Sequence, residues 1–130
     1  MTPATTTALI AALWPIVCQV ESGGDPNAYN AAEEAAGIAQ IRPIMVEDVN
    51  RIAGCPVFSL ENRFESKAAR EMFRIYMEHY GAAYTRETGK EPTLEVFARL
   101  WPGGPNGWKQ DCTDDYWKKI KAAQQQKGRE

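Results

Sequence analysis

Val20-Glu21-Ser22-Gly23-Gly24-Asp25-Pro26 decides how this chain is read, because a long apolar run ends there on a carboxylate and the backbone turns at once. Thr7 to Val20 is rich in Ala, Leu, Ile and Val, so its burial sets Glu21 at the edge of a core and not on an ordinary solvated face. Low dielectric penalises the charged form of such a carboxyl, and one that keeps its proton near neutrality can act as a general acid. Gly23 and Gly24 terminate the helix, since either can take the left-handed conformation a C-cap needs. A glutamate at a helix end is in most proteins just a solvated residue, so a catalytic reading of Glu21 needs support from elsewhere in the chain.

Two further segments follow in order. Gly37-Ile38-Ala39-Gln40-Ile41-Arg42-Pro43 comes after a loop of polar and small residues, and Gly103-Gly104-Pro105-Asn106-Gly107-Trp108 comes much later. Glu-Ser-Gly-Gly, then Gly-x-x-Gln-Ile-x-Pro, then a late aromatic helix running into Gly-Gly-Pro-Asn-Gly resembles the lysozyme-like catalytic domain of soluble lytic transglycosylases and goose-type lysozymes, in the compact form common in phage cell-wall enzymes. The resemblance covers about Val17 to Trp117. Each motif alone is weak; three in the right order are fairly specific.

The resemblance implies one mainly α domain with a lysozyme-like fold. Five or six helices would surround a central helix, with a rudimentary β-hairpin or loop lobe between Glu21 and Gly37. It also implies a peptidoglycan glycosidase in which Glu21 protonates the oxygen linking N-acetylmuramic acid to N-acetylglucosamine. Ser22, Gln40, Tyr29, Trp101 and Asn106 would bind the glycan. Gln40 matches the family glutamine, whose amide offers donors and an acceptor for an N-acetyl group or for orienting Glu21. The alternative is a buried amide satisfied by backbone. Relatives usually place Asn before the late glycines and often Tyr before that Asn, whereas this chain has Leu100-Trp101-Pro102. The aromatic surface is kept in Trp101, and Asn106 is the remaining source of a side-chain amide.

The second half of the mechanism turns on another carboxylate. An inverting hydrolase needs one about 6.5 to 9.5 Å from the acid to activate water, and a retaining nucleophile sits nearer, at about 5 to 5.5 Å. Goose-type lysozymes carry an aspartate two residues after the motif glutamine, where this chain has Arg42. Lytic transglycosylases manage with one glutamate, so the resemblance favours transglycosylation. Glu33 or Glu34, read otherwise as solvated loop residues, could restore hydrolysis, while Asp25 suits a turn. The competing classes are a non-enzymatic glycan-binding or virion structural module and a chitin-cleaving enzyme.

Length and composition agree. A chain of 130 residues is one domain on length alone, 1–130, with frayed ends at about 1–6 and 124–130. It is long enough to bury roughly two thirds of its unfolded surface, so neither disulfide nor metal is required. A net charge of -2 with well-mixed signs argues against nucleic acid as a partner, although Lys118, Lys119 and Lys121 could face an anionic polymer. Cys18 reads as a buried thiol, and Cys55 and Cys112 lie in loops where a disulfide is possible but not readable. The cysteines are far apart and His79 is the only histidine, so no metal site stands out, the pattern argues against a zinc peptidase, and no cofactor is expected. His79 itself reads as structural or solvated.

Met1 to Thr7 has no basic side chain and the apolar stretch after it is broken by Pro15, which fits neither a signal peptide nor a membrane span. A monomer made in the cytoplasm, reaching the wall by release or within a phage particle, is the corresponding expectation.

The pattern predicts a first helix capped by Thr5, Thr6 or Thr7 and running to Ser22, kinked or broken near Pro15. Its apolar positions, from Leu9 to Val20, are too many for one stripe and require burial on more than one side. A second helix runs from Pro43 through Ile52, with Met45, Val49 and Ile52 inward, closed by Gly54. The longest helix is expected over about Asn62 to Tyr80, with Phe64, Ala68, Met72, Ile75, Tyr76 and Met77 on its core side and Gly81 as a cap or break. Pro92 and Thr93 open a fourth that stops before Pro102, and Thr113-Asp114-Asp115 opens a last one docked by Tyr116, Trp117 and Ile120.

Overall fold

A computed structural model describes residues 4–128, and the fold is mainly α-helical with a small two-stranded hairpin, matching a lysozyme-like fold. Five α-helices are present among the described residues: α1 (Ala4–Ser22), α2 (Pro43–Ala53), α3 (Ser66–Thr88), α4 (Leu94–Gly103) and α5 (Asp114–Gly128). Three short 3-10 helices, Leu60–Phe64, Gly104–Lys109 and Asp111–Thr113, fill the connections. The chain divides into two compact units, Cys18–Tyr76 and the segments before and after it, the divisions falling inside α1 and α3.

In α1 the threonines expected as caps lie within the helix, and Thr6 is buried. The helix is assigned unbroken through Pro15, whose missing N–H falls between exposed Ala11 and exposed Pro15. Ile10, Leu13, Ile16, Val17 and Cys18 are buried, a wider band than one stripe, as the apolar count requires. By length and a mean hydropathy of 1.3 this helix also passes as a membrane-crossing segment, with a third of its window buried.

The unit Cys18–Tyr76 opens on the glycine cap. Gly23 and Gly24 take φ of 67° and 84°, and their N–H groups donate to the carbonyls of Gln19 and Cys18 at 3.0 and 3.2 Å. These are the orphan carbonyls that every helix end must satisfy, so the turn away from α1 is encoded locally. Strands β1 (Tyr29–Asn30) and β2 (Ala35–Ala36) then pair antiparallel, Tyr29 opposite Ala36 and Asn30 opposite Ala35. Between them Asn30 Oδ1 accepts the Ala32 N–H at 3.0 Å, and Glu34 closes the turn at φ 55°. Tyr29 and Asn30, too short to define a strand in sequence, do form one.

A second tight turn follows. Ala36 and Ile41 exchange backbone bonds of 3.0 and 2.9 Å around Gly37 to Gln40. Gly37 has φ 84°, and a Cβ there would lie 1.8 Å from the Arg63 carbonyl oxygen, so the obstruction expected at this glycine comes from the chain itself. In α2, Met45, Val46 and Val49 are buried and Ile52 is half-buried, and Gly54 caps the helix at φ 82°. Asn50 then fastens the returning chain, donating to and accepting from the Phe58 backbone at 2.9 and 3.0 Å.

The longest helix departs from its expected bounds at both ends. Residues 60–64 form a 3-10 helix with a Ser59/Asn62 capping box, and α3 begins only at Ser66. Phe64 is therefore not a core position of α3 and is 38% exposed, while Ala69, Met72, Phe73, Tyr76, Met77 and Tyr80 are buried. At the other end α3 passes through Gly81 to Thr88. A Cβ at Gly81 would stand 2.7 Å from the Phe97 ring, so the glycine makes room for an aromatic side chain of α4. That packing outweighs the roughly 1 kcal/mol that glycine costs inside a helix. Gly89, at φ 74°, supplies the actual cap.

The other unit holds α4 and α5. Thr93 caps α4, its hydroxyl accepting the Val96 N–H at 3.2 Å, and the helix continues through Pro102 to Gly103 before tightening into the 3-10 segment. Arg99 joins this unit, donating to Glu95 at 2.9 Å, Asp114 at 2.6 Å and Thr113 Oγ1 at 3.0 Å. Thr113 is buried and donates in turn to the Gly107 or Gln110 carbonyl. Ile120 is fully buried in α5, Tyr116 and Trp117 are half-buried, and the helix extends to Gly128 where fraying was expected.

Candidate active site

Glu21 stands one residue before the end of α1 and is half-buried. Its neighbour Ser22 explains why the motif pairs the two. The Ser22 hydroxyl donates to the Ile38 carbonyl at 2.7 Å and accepts the Asp25 N–H at 3.0 Å. A single side chain thus stitches the helix end, the glycine turn and the Gly37 to Gln40 turn together. Ser22, expected among the glycan-binding residues, is half-buried and uses its hydroxyl on backbone groups.

Gln40 belongs to the same assembly. It sits at φ 53°, and its Nε2 donates to the carbonyls of Gly37 at 3.1 Å and Ala28 at 3.3 Å. Ala28 O also accepts the Gly37 N–H at 2.8 Å, so the amide braces the point where the hairpin meets the turn. Both amide protons are thereby used. Oε1 has no partner among the described residues and is not a buried orphan, so what Gln40 still offers is an acceptor.

Arg63 carried no signal in the sequence. It is buried, and its guanidinium donates from Nε to Leu60 O at 2.9 Å and from Nη1 to Glu34 O at 2.6 Å and Ile41 O at 3.0 Å. Three separate segments, the hairpin turn, the residue after Gln40 and the 3-10 helix, hang on this one side chain. Only the run Leu60-Glu61-Asn62-Arg63-Phe64, short of a helical period, marks the place in sequence.

Glu33 and Glu34 are exposed in the hairpin turn, and Tyr29 is 53% exposed at its start. Arg42, at the N-cap of α2, is half-buried. These residues share the unit Cys18–Tyr76 with Glu21. Trp101 and Asn106 belong to the other unit. Trp101 is 3% exposed, so its indole serves the packing of α4 instead of offering a face to a sugar, while Asn106 is exposed. No group of His, Cys, Asp and Glu suited to a metal ion occurs among the described residues.

Electrostatics next to Glu21 are read through Cys18, one turn earlier. Burial pushes the Cys18 thiol up to about 12 from an ordinary 9.0, a backbone hydrogen bond opposes this, and the negative charge of Glu21 adds to the rise. The thiol is therefore protonated and inert at neutral pH, whereas Cys55 and Cys112 are exposed free thiols. At pH 8 an aromatic disulfide reagent should titrate two thiols in the native protein and three after denaturation. The raised value also fixes the sign of the pH dependence. The unfolded thiol ionises first, so its contribution to stability is whole below pH 9 and lost as pH climbs toward 12. Melting temperature should fall more over that range in wild type than in Cys18→Ala; equal falls would show that Cys18 does not carry it.

No protein-family model matches the chain. Curated sequences do. The chain is 28% identical over 108 residues to Lysozyme 1 of Crassostrea virginica, and 29% identical over 106 residues to a lysozyme of Magallana gigas. The first match covers 82% of this chain and 55% of the relative, the second 80% and 72%, so the chain spans only about half the length of the first relative. The chain is thus distantly similar in sequence to two lysozymes, and its mainly helical fold with a small hairpin is lysozyme-like.

Proposed function

We propose that this protein is a peptidoglycan glycosidase of the soluble lytic transglycosylase and goose-type lysozyme kind, cleaving the β-1,4 bond between N-acetylmuramic acid and N-acetylglucosamine with Glu21 as its acid. The observation that carries the reading is the coupling of Glu21 to the Gln40 turn through the Ser22 hydroxyl, 2.7 Å from Ile38 O. A half-buried carboxyl on a helix end whose neighbour is hydrogen-bonded to that turn has its backbone held in place, which supports a role in proton transfer. In the mechanism Glu21 gives its proton to the leaving glycosidic oxygen as the C1–O bond breaks. The muramic 6-hydroxyl then attacks C1, returns a proton to Glu21 and leaves an anhydro sugar. Glu21 is thus acid and base in turn, and the nucleophile belongs to the substrate.

A second reading is supported by the relatives, both named lysozymes, and by the two exposed carboxylates of the hairpin turn. Glu33 or Glu34 would then activate water for hydrolysis. Mass spectrometry of products from purified peptidoglycan separates the two. Transglycosylation is expected to give anhydromuropeptides from wild type and from the Glu33→Gln, Glu34→Gln double variant alike. Reducing muropeptides from wild type and a dead double variant would assign the base to this loop. No product from any glycan would leave a binding or structural module.

A further inference from the structure

Among the described residues the exposed large hydrophobic side chains are Tyr29, Ile44, Val57, Leu60 and Phe64, and all lie in the unit Cys18–Tyr76. Two of these are aromatic. Tyr29 is 53% exposed and Phe64 38%, while the other aromatic side chains are half-buried or, like Phe73, Phe97 and Trp101, buried. A ring exposed to this extent forgoes about 1 kcal/mol of burial, and two such rings near one turn offer an apolar surface to a ligand.

Both residues are anchored beside Gly37. Tyr29 is the register partner of Ala36, the residue before it. The Phe64 amide nitrogen lies 3.5 Å from where a Gly37 Cβ would stand, and the preceding Arg63 carbonyl lies 1.8 Å from it, so only glycine lets the two backbones meet. Arg63 then locks the 3-10 helix bearing Phe64 onto the hairpin turn and onto Ile41. The same turn carries Gln40, with its open Oε1, and is tied to the helix end bearing Glu21 by Ser22.

We propose that Tyr29 and Phe64 form a saccharide platform flanking the Gly37 to Gln40 turn, on which the apolar faces of successive amino sugars of a glycan strand stack. This rests on the glycosidase reading and deepens it. Pyranose rings present C–H faces ringed by hydroxyls, which suits an aromatic surface with a polar acceptor beside it, and Gln40 Oε1 can accept an N-acetyl N–H. Fixed backbones on both sides keep the ordering cost of binding low.

The test is co-sedimentation of the full chain with purified peptidoglycan sacculi, in a Glu21→Gln background so that the polymer is not consumed. Phe64→Ala and Tyr29→Ala should each weaken binding about tenfold with the melting temperature kept, and Phe64→Tyr and Tyr29→Phe should bind as the parent does. Phe64→Leu keeps the apolar bulk without the ring and should behave like Phe64→Ala; it decides the matter if the alanine variant fails to fold. Ile44→Ala and Val57→Ala, equally exposed in the same unit, should change nothing. Parental binding by Phe64→Leu and Tyr29→Ala, or matching losses in Ile44→Ala and Val57→Ala, would overturn the platform. If binding responds as expected while wild type releases no product, the glycosidase reading fails and the platform stands. If wild type cleaves the wall and the ring-less variants bind undiminished, the platform alone fails.

Discussion

Glu21→Gln should fold as wild type does and lose about two to four orders of magnitude of muralytic turnover, the range that general acid catalysis spans. The amide copies the shape and hydrogen-bonding reach of the carboxyl but has no proton to deliver to a leaving alkoxide. The contacts of this helix end with Ile38 and Asp25 are made by the neighbouring Ser22 hydroxyl, which the substitution leaves in place. Circular dichroism and a thermal melt establish the fold, and turbidity clearance of cell-wall suspensions reads the activity. Clearance at the wild-type rate by a folded Glu21→Gln protein would remove Glu21 from the mechanism.

Arg63→Met should cost about 3 kcal/mol of stability, and more if water cannot reach the carbonyls left behind. The substitution keeps much of the volume, so the loss reports hydrogen bonds and not a cavity. Glu34 O and Leu60 O each lose their Arg63 donor, while Ile41 O keeps the Ala36 N–H. Arg63→Lys should recover only part of the loss, because one ammonium on a flexible stem does not reproduce a planar fork aimed at three carbonyls. Because those carbonyls belong to the hairpin turn, the segment after Gln40 and the 3-10 helix, nicking by protease within 31–34 should rise in both variants. A denaturant melt of Arg63→Met within about 0.5 kcal/mol of wild type would show that the three segments hold together without it.

The two experiments probe levels of the molecule that differ in how visible they were. Glu21 stands out in the sequence because its signal is local: an apolar run, a carboxylate and two glycines close together. Arg63 leaves no such signal, because its partners lie 3, 22 and 29 residues away and are backbone carbonyls, which every residue possesses. Gln40 falls between. Its motif position was readable, but the spending of both amide protons on Ala28 and Gly37 follows from a hairpin that only the folded chain assembles. Phe64 has helical spacing to Ala68 and Met72 and so reads as a core position, but the 3-10 turn before Ser66 puts its ring at the surface.

By itself the sequence determined what short-range physics can carry. It set the end of α1 at Glu21-Ser22 by its glycines, the span of α2 by Pro43 and Gly54, the start of α5 by Thr113 and Asp114, and the mainly helical class by its apolar spacing. Only the tertiary structure decided that α3 runs through Gly81, since the Phe97 ring that needs the space comes from another helix. Only it decided that Trp101 is packed away, that Gly37 is required by the Arg63 carbonyl, and that Ser22 is a clamp. Helix caps and turns are settled by groups within a few residues of one another. Close approaches and hydrogen bonds to distant carbonyls exist only after the chain has folded, and they leave no period to read.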